Sequence, residues 1–165
     1  AIMKHSFYVS ICLMYYAGLR ASEVLSLSWL NIKDRHMRII GKGNKERIVP
    51  ICDELLSILD EWYSRQQAFL NEQPSLVFSN EDGSAVSGSF FRRMVKNVLM
   101  SCGCPYDLAH PHALRHSFAT KMAAMGLSLL SLQKILGHSS LNTTQVYVNL
   151  ADSFTSSEFF NLTSI

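Results

Sequence analysis

The sequence predicts a mainly helical domain with a small three-stranded antiparallel β-sheet, an α+β fold. Apolar residues recur at helical spacing through several segments of ten or more residues, and two short β-branched segments, 37–40 and 47–51, flank a turn rich in Gly and Asn. The chain has 165 residues, 48% of them hydrophobic, which is enough for one core and too few for two domains. We therefore predict that residues 1–165 form a single domain.

Turn and cap signals set the order of the predicted elements. The first helix covers residues 5–18 and ends at Gly18, and Ser22 is the expected N-cap of a short second helix. A third strand is predicted at residues 76–79, where Leu-Val-Phe precedes a turn. The other predicted helices cover residues 53–69, 90–100, 111–125 and 128–136, and a last helix has Asn142 as its N-cap.

Composition limits the location and the partners of the chain. The formal net charge of +2 permits a nucleic-acid partner without requiring one. No apolar run has the length of a membrane span or the pattern of a secretory signal, so we expect no membrane partner. The cysteines lack the spacing of a disulfide framework, which indicates reduced thiols and a cytoplasmic protein. They are Cys12, Cys52, Cys102 and Cys104.

Residues 110–120 place an imidazole and a guanidinium group at the start of a predicted buried helix. Pro111 suits the first helical position, and His112 and Arg115 follow three residues apart, near the positive end of the helix dipole. An anion such as a phosphate is stabilised there. From these residues alone, a satisfied core histidine with a structural arginine–carboxylate pair is an equally good interpretation.

A zinc site is a further alternative for this segment. His112 and His116 have the i, i+4 spacing of helical zinc ligands, and Cys102 and Cys104 lie just upstream. However, Cys-x-Cys is not the usual zinc spacing, and Arg115 would crowd the ion. We therefore expect no metal.

Cations also occur at two earlier turns. Arg20 lies at a tight junction after the first helix, and Glu23 lies one turn later, so the two form either a structural ion pair or part of a site. The hairpin turn carries Lys42 and Lys45, and such a basic turn is either solvated or able to deliver a lysine into a site.

Further candidates lie in the second half of the chain. Arg92, Arg93 and Lys96 on one predicted helix form either a solvated face or a contact to a phosphate backbone. His138 follows a helix end, and Tyr147 comes nine residues later. Taken separately, these two are a histidine favoured by the helix dipole and an ordinary half-buried aromatic residue.

The joint order of these residues resembles the catalytic domain of the tyrosine recombinase (phage integrase) family, and within it the Xer-like bacterial members. The separate structural explanations do not predict that order. The resemblance extends over nearly the whole chain. It rests on the segments Gly18-Leu19-Arg20-Ala21-Ser22-Glu23, Gly41-Lys42-Gly43-Asn44-Lys45-Glu46-Arg47, His112-Ala113-Leu114-Arg115-His116, and Leu136-Gly137-His138-Ser139 continuing to Tyr147.

The resemblance implies breakage and rejoining of DNA strands without a metal, ATP or another cofactor. Tyr147 is the implied nucleophile, whose phenolic oxygen forms a 3′-phosphotyrosyl link. Arg20 and Arg115 are expected to bind the phosphate oxygens, and His138 is expected to donate a further hydrogen bond to them.

The resemblance also implies roles in proton transfer and support. Lys42 is the expected acid for the 5′ leaving oxygen, with Lys45 as the second candidate. His112 is the expected base for the tyrosine hydroxyl. Glu23 is expected to orient the turn at the first catalytic arginine, and His116 is expected to pack.

Double-stranded DNA is the implied partner, together with other recombinase protomers in a tetrameric synapse of the full-length protein. An N-terminal core-binding domain is expected to be absent from this chain, so its DNA binding should be weak and salt-sensitive. Residues 153–165 are expected to form a tail that docks in cis or in trans. The alternatives are a type IB topoisomerase-like relaxing enzyme and a catalytically silent DNA-binding module.

Overall fold

The computed structural model describes residues 2–138, 144–147 and 149, without the side chains of Ile2 and Lys42. Within these residues a mainly helical fold carries one three-stranded antiparallel sheet, which confirms the predicted fold class. No helix in this part of the chain has the length and apolarity needed to cross a membrane. Residues 144–147 and 149 are helical. The other elements are α1 (Ile2–Ala17), α2 (Ala21–Ser26), β1 (Ile32–Lys33), β2 (His36–Ile40), β3 (Glu46–Pro50), α3 (Asp53–Leu70), α4 (Gly88–Ser101), α5 (Pro111–Ala124) and α6 (Leu129–Leu136).

Local sequence signals explain the ends of several helices. Gly18 follows α1 with a φ of 64°, and Gly137 follows α6 with a φ of 65°, a conformation that glycine adopts without steric cost. The Ser128 hydroxyl accepts the Ser131 N–H at 3.1 Å and so caps α6, which begins one residue later than the predicted 128–136. Pro111 is the first residue of α5, as predicted.

The start of α2 differs from its prediction. Ser22 is not the N-cap, because α2 begins at Ala21 and Arg20 occupies the cap position. The Glu23 carboxylate accepts the Arg20 backbone N–H at 2.7 Å, which satisfies a donor that the helix start leaves unpaired. The helix therefore begins directly at an arginine that the sequence identifies as a site candidate.

The sheet has the order β1-β2-β3. The predicted hairpin is confirmed as β2 and β3, and its turn contains Gly43 and Asn44 at positive φ. A second hairpin joins β1 to β2 through Asp34-Arg35, with φ values of 48° and 64°. The sequence does not predict this second hairpin, because the dipeptide lacks the glycine that marks such a turn.

The third strand is therefore β1 and not residues 76–79, where the sequence predicts it. In that segment Leu76 forms an isolated bridge with Ser28. The Trp62 indole of α3 donates a hydrogen bond to the Val77 carbonyl at 2.7 Å. A side chain thus satisfies a backbone group that a neighbouring strand would otherwise pair, so the segment packs without joining the sheet.

Two hydrophobic clusters form the interior of the described residues. In the larger one, α1 packs against α3 and α5, and the inner face of the sheet covers one side. Full burial of each large apolar side chain stabilises the fold by roughly 1.5–3 kcal/mol. The largest wholly buried apolar side chains of this cluster are Trp62, Phe78, Phe91, Leu13, Met14, Leu19, Met37, Leu55 and Leu59.

The smaller cluster lies beside the end of α1. A Cβ atom at Gly18 would lie 2.4 Å from Cδ1 of Phe118, so glycine is required where α1 passes α5. This close approach brings the junction after α1 next to the cluster. Its buried members are Phe118, Ala119, Leu132, Leu136 and Tyr147.

Candidate active site

A cleft of about 1510 Å³ lies between the β2–β3 hairpin, α2, α5 and the end of α6. It brings together residues that are far apart in the sequence. Arg115 is buried next to it and bonds the backbone of Gly18 and Leu136. The sequence-predicted site residues that line the cleft are Arg20, Glu23, Lys45, His112, His116, His138 and Tyr147.

Three arginines from different parts of the chain donate hydrogen bonds to the last two carbonyls of α6 and to the carbonyl of Gly137 just after it. These carbonyls have no partner within their helix and lie at its negative end, so guanidinium groups stabilise them. The contacts hold the end of α6, and therefore His138 beside it, against the rest of the site. The pairs are Arg47 Nε–Ile135 O (2.6 Å), Arg115 Nη2–Leu136 O (2.6 Å) and Arg20 Nη2–Gly137 O (3.3 Å).

Glu23 supplies the negative charge among these arginines. Arg47 donates to both of its carboxylate oxygens, at 2.7 and 2.8 Å, and Arg20 Nη1 donates to Oε1 at 2.8 Å. Burial pushes the pKa of Glu23 up, but the hydrogen bonds from Arg47 and Arg20 outweigh it, so the pKa lies below its ordinary value. Since Arg115 Nη1 also lies 3.9 Å from Oε2, three guanidinium groups share one carboxylate. The resulting excess of positive charge suits an anionic ligand.

Arg115 is 1% exposed, the most buried of these arginines. Burial is the main reason that its pKa falls to about 10, and Arg20 adds to the effect. The guanidinium therefore stays charged at neutral pH. Among the residues that the structure describes, its buried Nε–H has no hydrogen-bond partner.

The Tyr147 ring lies between two histidine rings. Its centroid is 5.1 Å from that of His116 and 6.3 Å from that of His138. Only 3% of Tyr147 is exposed, and burial raises its pKa, although Arg115 acts in the opposite direction. The hydroxyl is therefore protonated at neutral pH, and an attack by its oxygen requires a proton acceptor.

Two histidines of α5, His112 and His116, line the same cleft as Tyr147. Burial lowers the pKa of His112 and of His116, and neighbouring positive charge lowers both further, so both rings are neutral at pH 7 and can accept a proton. The family resemblance implies a packing role for His116. Its ring centroid lies 4.7 Å from that of His112 and 5.1 Å from that of Tyr147, and the residue is exposed in the cleft.

The His138 ring is held by a buried hydroxyl. Its Nδ1 lies 3.0 Å from Oγ1 of Thr144, which is 0% exposed. Burial lowers the pKa of His138 to about 4, and the positive charges of Arg115 and Arg20 contribute. The ring is therefore neutral at pH 7 and has one N–H to donate.

The two hairpin lysines differ in how far they are described. Lys42 begins a short 3-10 turn, Lys42–Asn44, and its side chain lies outside the described residues. Lys45 is exposed and lines the cleft. The expected cap Asn142 and the tail at 153–165 also lie outside the described residues.

The three predicted DNA-contacting cations lie on α4 and are not among the residues that line the cleft. Arg92 and Arg93 are exposed. The Lys96 ammonium lies 3.2 Å from the centre of the Tyr106 ring, a cation–π contact. Their contact with DNA stays a prediction.

The zinc alternative finds no support in the described part of the chain, where no three His, Cys, Asp or Glu side chains are grouped to hold a metal ion. Cys102 is exposed and Cys104 is half-buried, and both are free thiols. His112 and His116, the other two ligands of that hypothesis, line the cleft.

Sequence reasoning missed two residues of this site. Arg47 ends the segment 41–47, one of the segments on which the family resemblance rests. However, a charged residue in a two-stranded hairpin ordinarily faces solvent, and no local sequence pattern connects Arg47 to Glu23 or to α6. Thr144 lies three residues before Tyr147, a spacing that places both on one side of a helix. That spacing alone does not identify a partner for His138.

Most of the chain also matches the model of a known protein family. The model described as the phage integrase family matches residues 2–153, which is most of the chain. The chain belongs to the phage integrase family.

Two curated relatives are similar over most of its length. The tyrosine recombinase XerC of Haemophilus ducreyi (strain 35000HP / ATCC 700724) is 41% identical over 143 residues, which cover 84% of this chain and 45% of the relative. The tyrosine recombinase XerD of Lacticaseibacillus casei is 38% identical over 144 residues, which cover 85% and 49%. The chain thus spans about half the length of these family members.

Two solved structures of recombinases share the fold of this chain. A post-cleavage complex of the XerH site-specific recombinase with its palindromic difH substrate aligns with a TM-score of 0.80 and 27% identity, over 96% of this chain and 46% of the XerH chain. The XerA recombinase aligns with the same TM-score at 24% identity, over 97% and 59%, a likeness that concerns the fold alone.

Proposed function

We propose that this chain is the catalytic domain of a site-specific recombinase that cleaves and rejoins DNA strands through a 3′-phosphotyrosyl intermediate. The observation that carries the proposal is the cleft itself. Tyr147, His112 and His138 line it beside Arg20 and the buried Arg115, where guanidinium groups exceed carboxylates. Membership in the phage integrase family supports the same assignment.

In the proposed cleavage step, the phenolic oxygen of Tyr147 attacks a backbone phosphorus. The bond from phosphorus to the 5′ oxygen breaks, which leaves a 3′-phosphotyrosine and a free 5′-hydroxyl. Negative charge grows on the non-bridging oxygens, and Arg20 and Arg115 stabilise it through charge-assisted hydrogen bonds. Rejoining is the reverse reaction, in which a 5′-hydroxyl attacks the same phosphorus and releases the tyrosine. The bond energy stays in the ester, so no external energy source is needed.

Two proton transfers accompany cleavage. The tyrosine proton passes to His112, which is neutral at pH 7 because burial and positive neighbours lower its pKa. His116, whose ring touches those of His112 and Tyr147, keeps the two aligned. The leaving 5′ oxygen receives a proton from a hairpin lysine, Lys42 by family resemblance or Lys45 by its position in the cleft.

Double-stranded DNA in the cytoplasm is the proposed substrate, and other protomers are the proposed partners in a synapse. The XerH structure, described as bound to its difH substrate, and a lambda integrase structure, described as a dimer bound to a core site, support DNA binding and assembly. Lys45 is exposed and lines the cleft, where its ammonium group can meet a phosphate.

Covalent trapping tests the proposal. The protein is incubated, with EDTA present, with sheared and nicked genomic DNA of its source organism, and SDS-resistant protein–DNA adducts are isolated and their ends sequenced. We expect an adduct that Tyr147→Phe abolishes. Tyr106→Phe, which alters a tyrosine that is 70% exposed, should preserve it.

The sequenced ends separate the recombinase from a relaxing enzyme. Ends clustered at one sequence support site-specific cleavage, whereas scattered ends with relaxation of supercoiled plasmid indicate a topoisomerase-like activity. No adduct on DNA that the wild-type protein binds, or an adduct that survives Tyr147→Phe, would contradict the proposal.

A further inference from the structure

Thr144 combines burial with a polar contact to the proposed site. It is 0% exposed, and its hydroxyl oxygen lies 3.0 Å from Nδ1 of His138. It also lies in the helical segment that carries Tyr147. The Tyr147 and His138 rings are nearly parallel, at 23°. One buried hydroxyl thus joins the proposed phosphate donor to the segment of the proposed nucleophile.

The state of His138 gives this contact a chemical consequence. A neutral imidazole carries its proton on one of two nitrogens, and the partner of the other nitrogen decides which. A threonine hydroxyl can donate or accept, because its hydrogen rotates to suit the partner. If the hydroxyl donates to Nδ1, the ring proton stays on Nε2, which is then available as a donor away from Thr144.

We propose that Thr144 is a positioning residue whose hydroxyl donates to Nδ1 of His138, holds the ring in its Nε2–H form and so presents that N–H to the substrate phosphate. The last step rests on the proposed function, whereas the tautomer does not. Burial supports the assignment, since a buried hydroxyl without a partner costs free energy. Valine would fill nearly the same space as threonine, so packing by itself does not require the oxygen.

The tautomer is measured by NMR on protein labelled with ¹⁵N-histidine at pH 7. Of the six histidines in the chain, His138 is identified by the signals that disappear in His138→Gln. We expect a protonated Nε2 and an unprotonated, hydrogen-bonded Nδ1 in the wild type and in Thr144→Ser, which keeps the hydroxyl. Thr144→Val removes the hydroxyl at nearly constant shape, and the ring should then lose its Nδ1 hydrogen bond and populate both tautomers.

The cleavage rate is measured on a synthetic nicked duplex that carries the sequence mapped from wild-type adducts. We expect Thr144→Val to slow adduct formation about tenfold, the loss that corresponds to one hydrogen bond, and Thr144→Ser to stay within about threefold of wild type. The wild-type spectrum decides the tautomer whether or not the valine variant folds.

An Nδ1–H tautomer in the wild type overturns the inference, and so does a His138 tautomer that Thr144→Val leaves unchanged, whatever the rate. An altered tautomer with an unchanged rate overturns the link to the phosphate. If the wild type forms no adduct, the proposed function fails, and the spectra still decide whether Thr144 controls His138.

Discussion

Arg47 and Glu23 form a two-pronged ion pair, with Nη1 2.7 Å from Oε1 and Nη2 2.8 Å from Oε2. Their side chains are 9% and 3% exposed. The same carboxylate holds both the backbone N–H and the guanidinium of Arg20, and Arg47 Nε holds the Ile135 carbonyl. This buried pair therefore connects the β2–β3 hairpin to α2 and α6. Arg20 lies at the start of α2, and His138 lies just after the end of α6.

Replacing Arg47 should destabilise the protein more than its place in a hairpin suggests. Arg47→Ala leaves a buried carboxylate short of its main partner, and we expect a loss of about 3–5 kcal/mol in the free energy of unfolding. Arg47→Lys keeps the charge but not the planar fork, so a loss of about 1–3 kcal/mol is expected. Urea unfolding measures both.

The matched control for these variants is Arg38→Lys on the same hairpin. Arg38 is 53% exposed and lies 3.8 Å from Glu46, so its replacement should change stability by no more than about 0.5 kcal/mol. Equal effects of Arg47→Lys and Arg38→Lys would show that the buried pair has no special role.

Gly137→Ala should disturb the same pair from the other side. The added Cβ would lie 2.9 Å from Cδ of Arg47, which cannot swing away without breaking three hydrogen bonds, and φ is 65° there. We expect a loss of about 2–4 kcal/mol, from backbone strain together with overpacking. Gly126→Ala is the control, since φ is 85° and nothing lies within 4 Å of its Cβ, so backbone strain alone should cost about 1–2 kcal/mol. A control that costs as much as Gly137→Ala would contradict the clash.

Stability should fall as the pH drops from about 6.5 to about 4. The pKa of His138 is lowered from 6.5 to about 4 in the folded protein, so over this range the unfolded chain binds a proton that the folded chain does not. The lowered pKa values of His112 and His116 act in the same direction. The stability is fully present above pH 6.5 and is lost on acidification.

The variant His138→Gln measures how much His138 contributes to this loss of stability on acidification. It removes the group that faces Thr144, His112 and the arginines, so the free energy of unfolding should depend less on pH between 6.5 and 4. His36→Gln removes an exposed imidazole on β2 and serves as the control. The explanation fails if unfolding curves of the His138→Gln variant show the same pH dependence as wild type.

DNA binding should be strongly salt-dependent, with Lys45 contributing one phosphate contact. The logarithm of the binding constant falls with that of salt concentration by about 0.9 per neutralised phosphate, so Lys45→Ala should reduce the slope by about 1. Lys33→Ala alters a lysine that is 85% exposed on the other hairpin and does not line the cleft, so its slope should match wild type. Fluorescence anisotropy over a salt series measures both, and identical slopes for Lys45→Ala and wild type would contradict the contact.

Local rules predict several features correctly because the forces involved act between neighbours in the chain. A hairpin follows from β-branched segments around a turn with residues that tolerate positive φ, and Gly18 ends α1 through its own left-handed backbone conformation. The same rules fail at residues 76–79. There a tryptophan of α3, distant in sequence, takes the carbonyl that a sheet partner would need.

The sequence by itself determined the fold class, most helix bounds, the hairpin and the ordered motifs that mark the family, since each depends on residue types at short spacings. Only the tertiary structure decided that Arg47 pairs with Glu23, that Thr144 holds His138 and that Tyr147 lies buried between two histidine rings. The physical reason is distance along the chain. Contacts such as the one from Arg47 to Ile135 form only after helices pack, and no local periodicity encodes which carbonyl a buried guanidinium will meet.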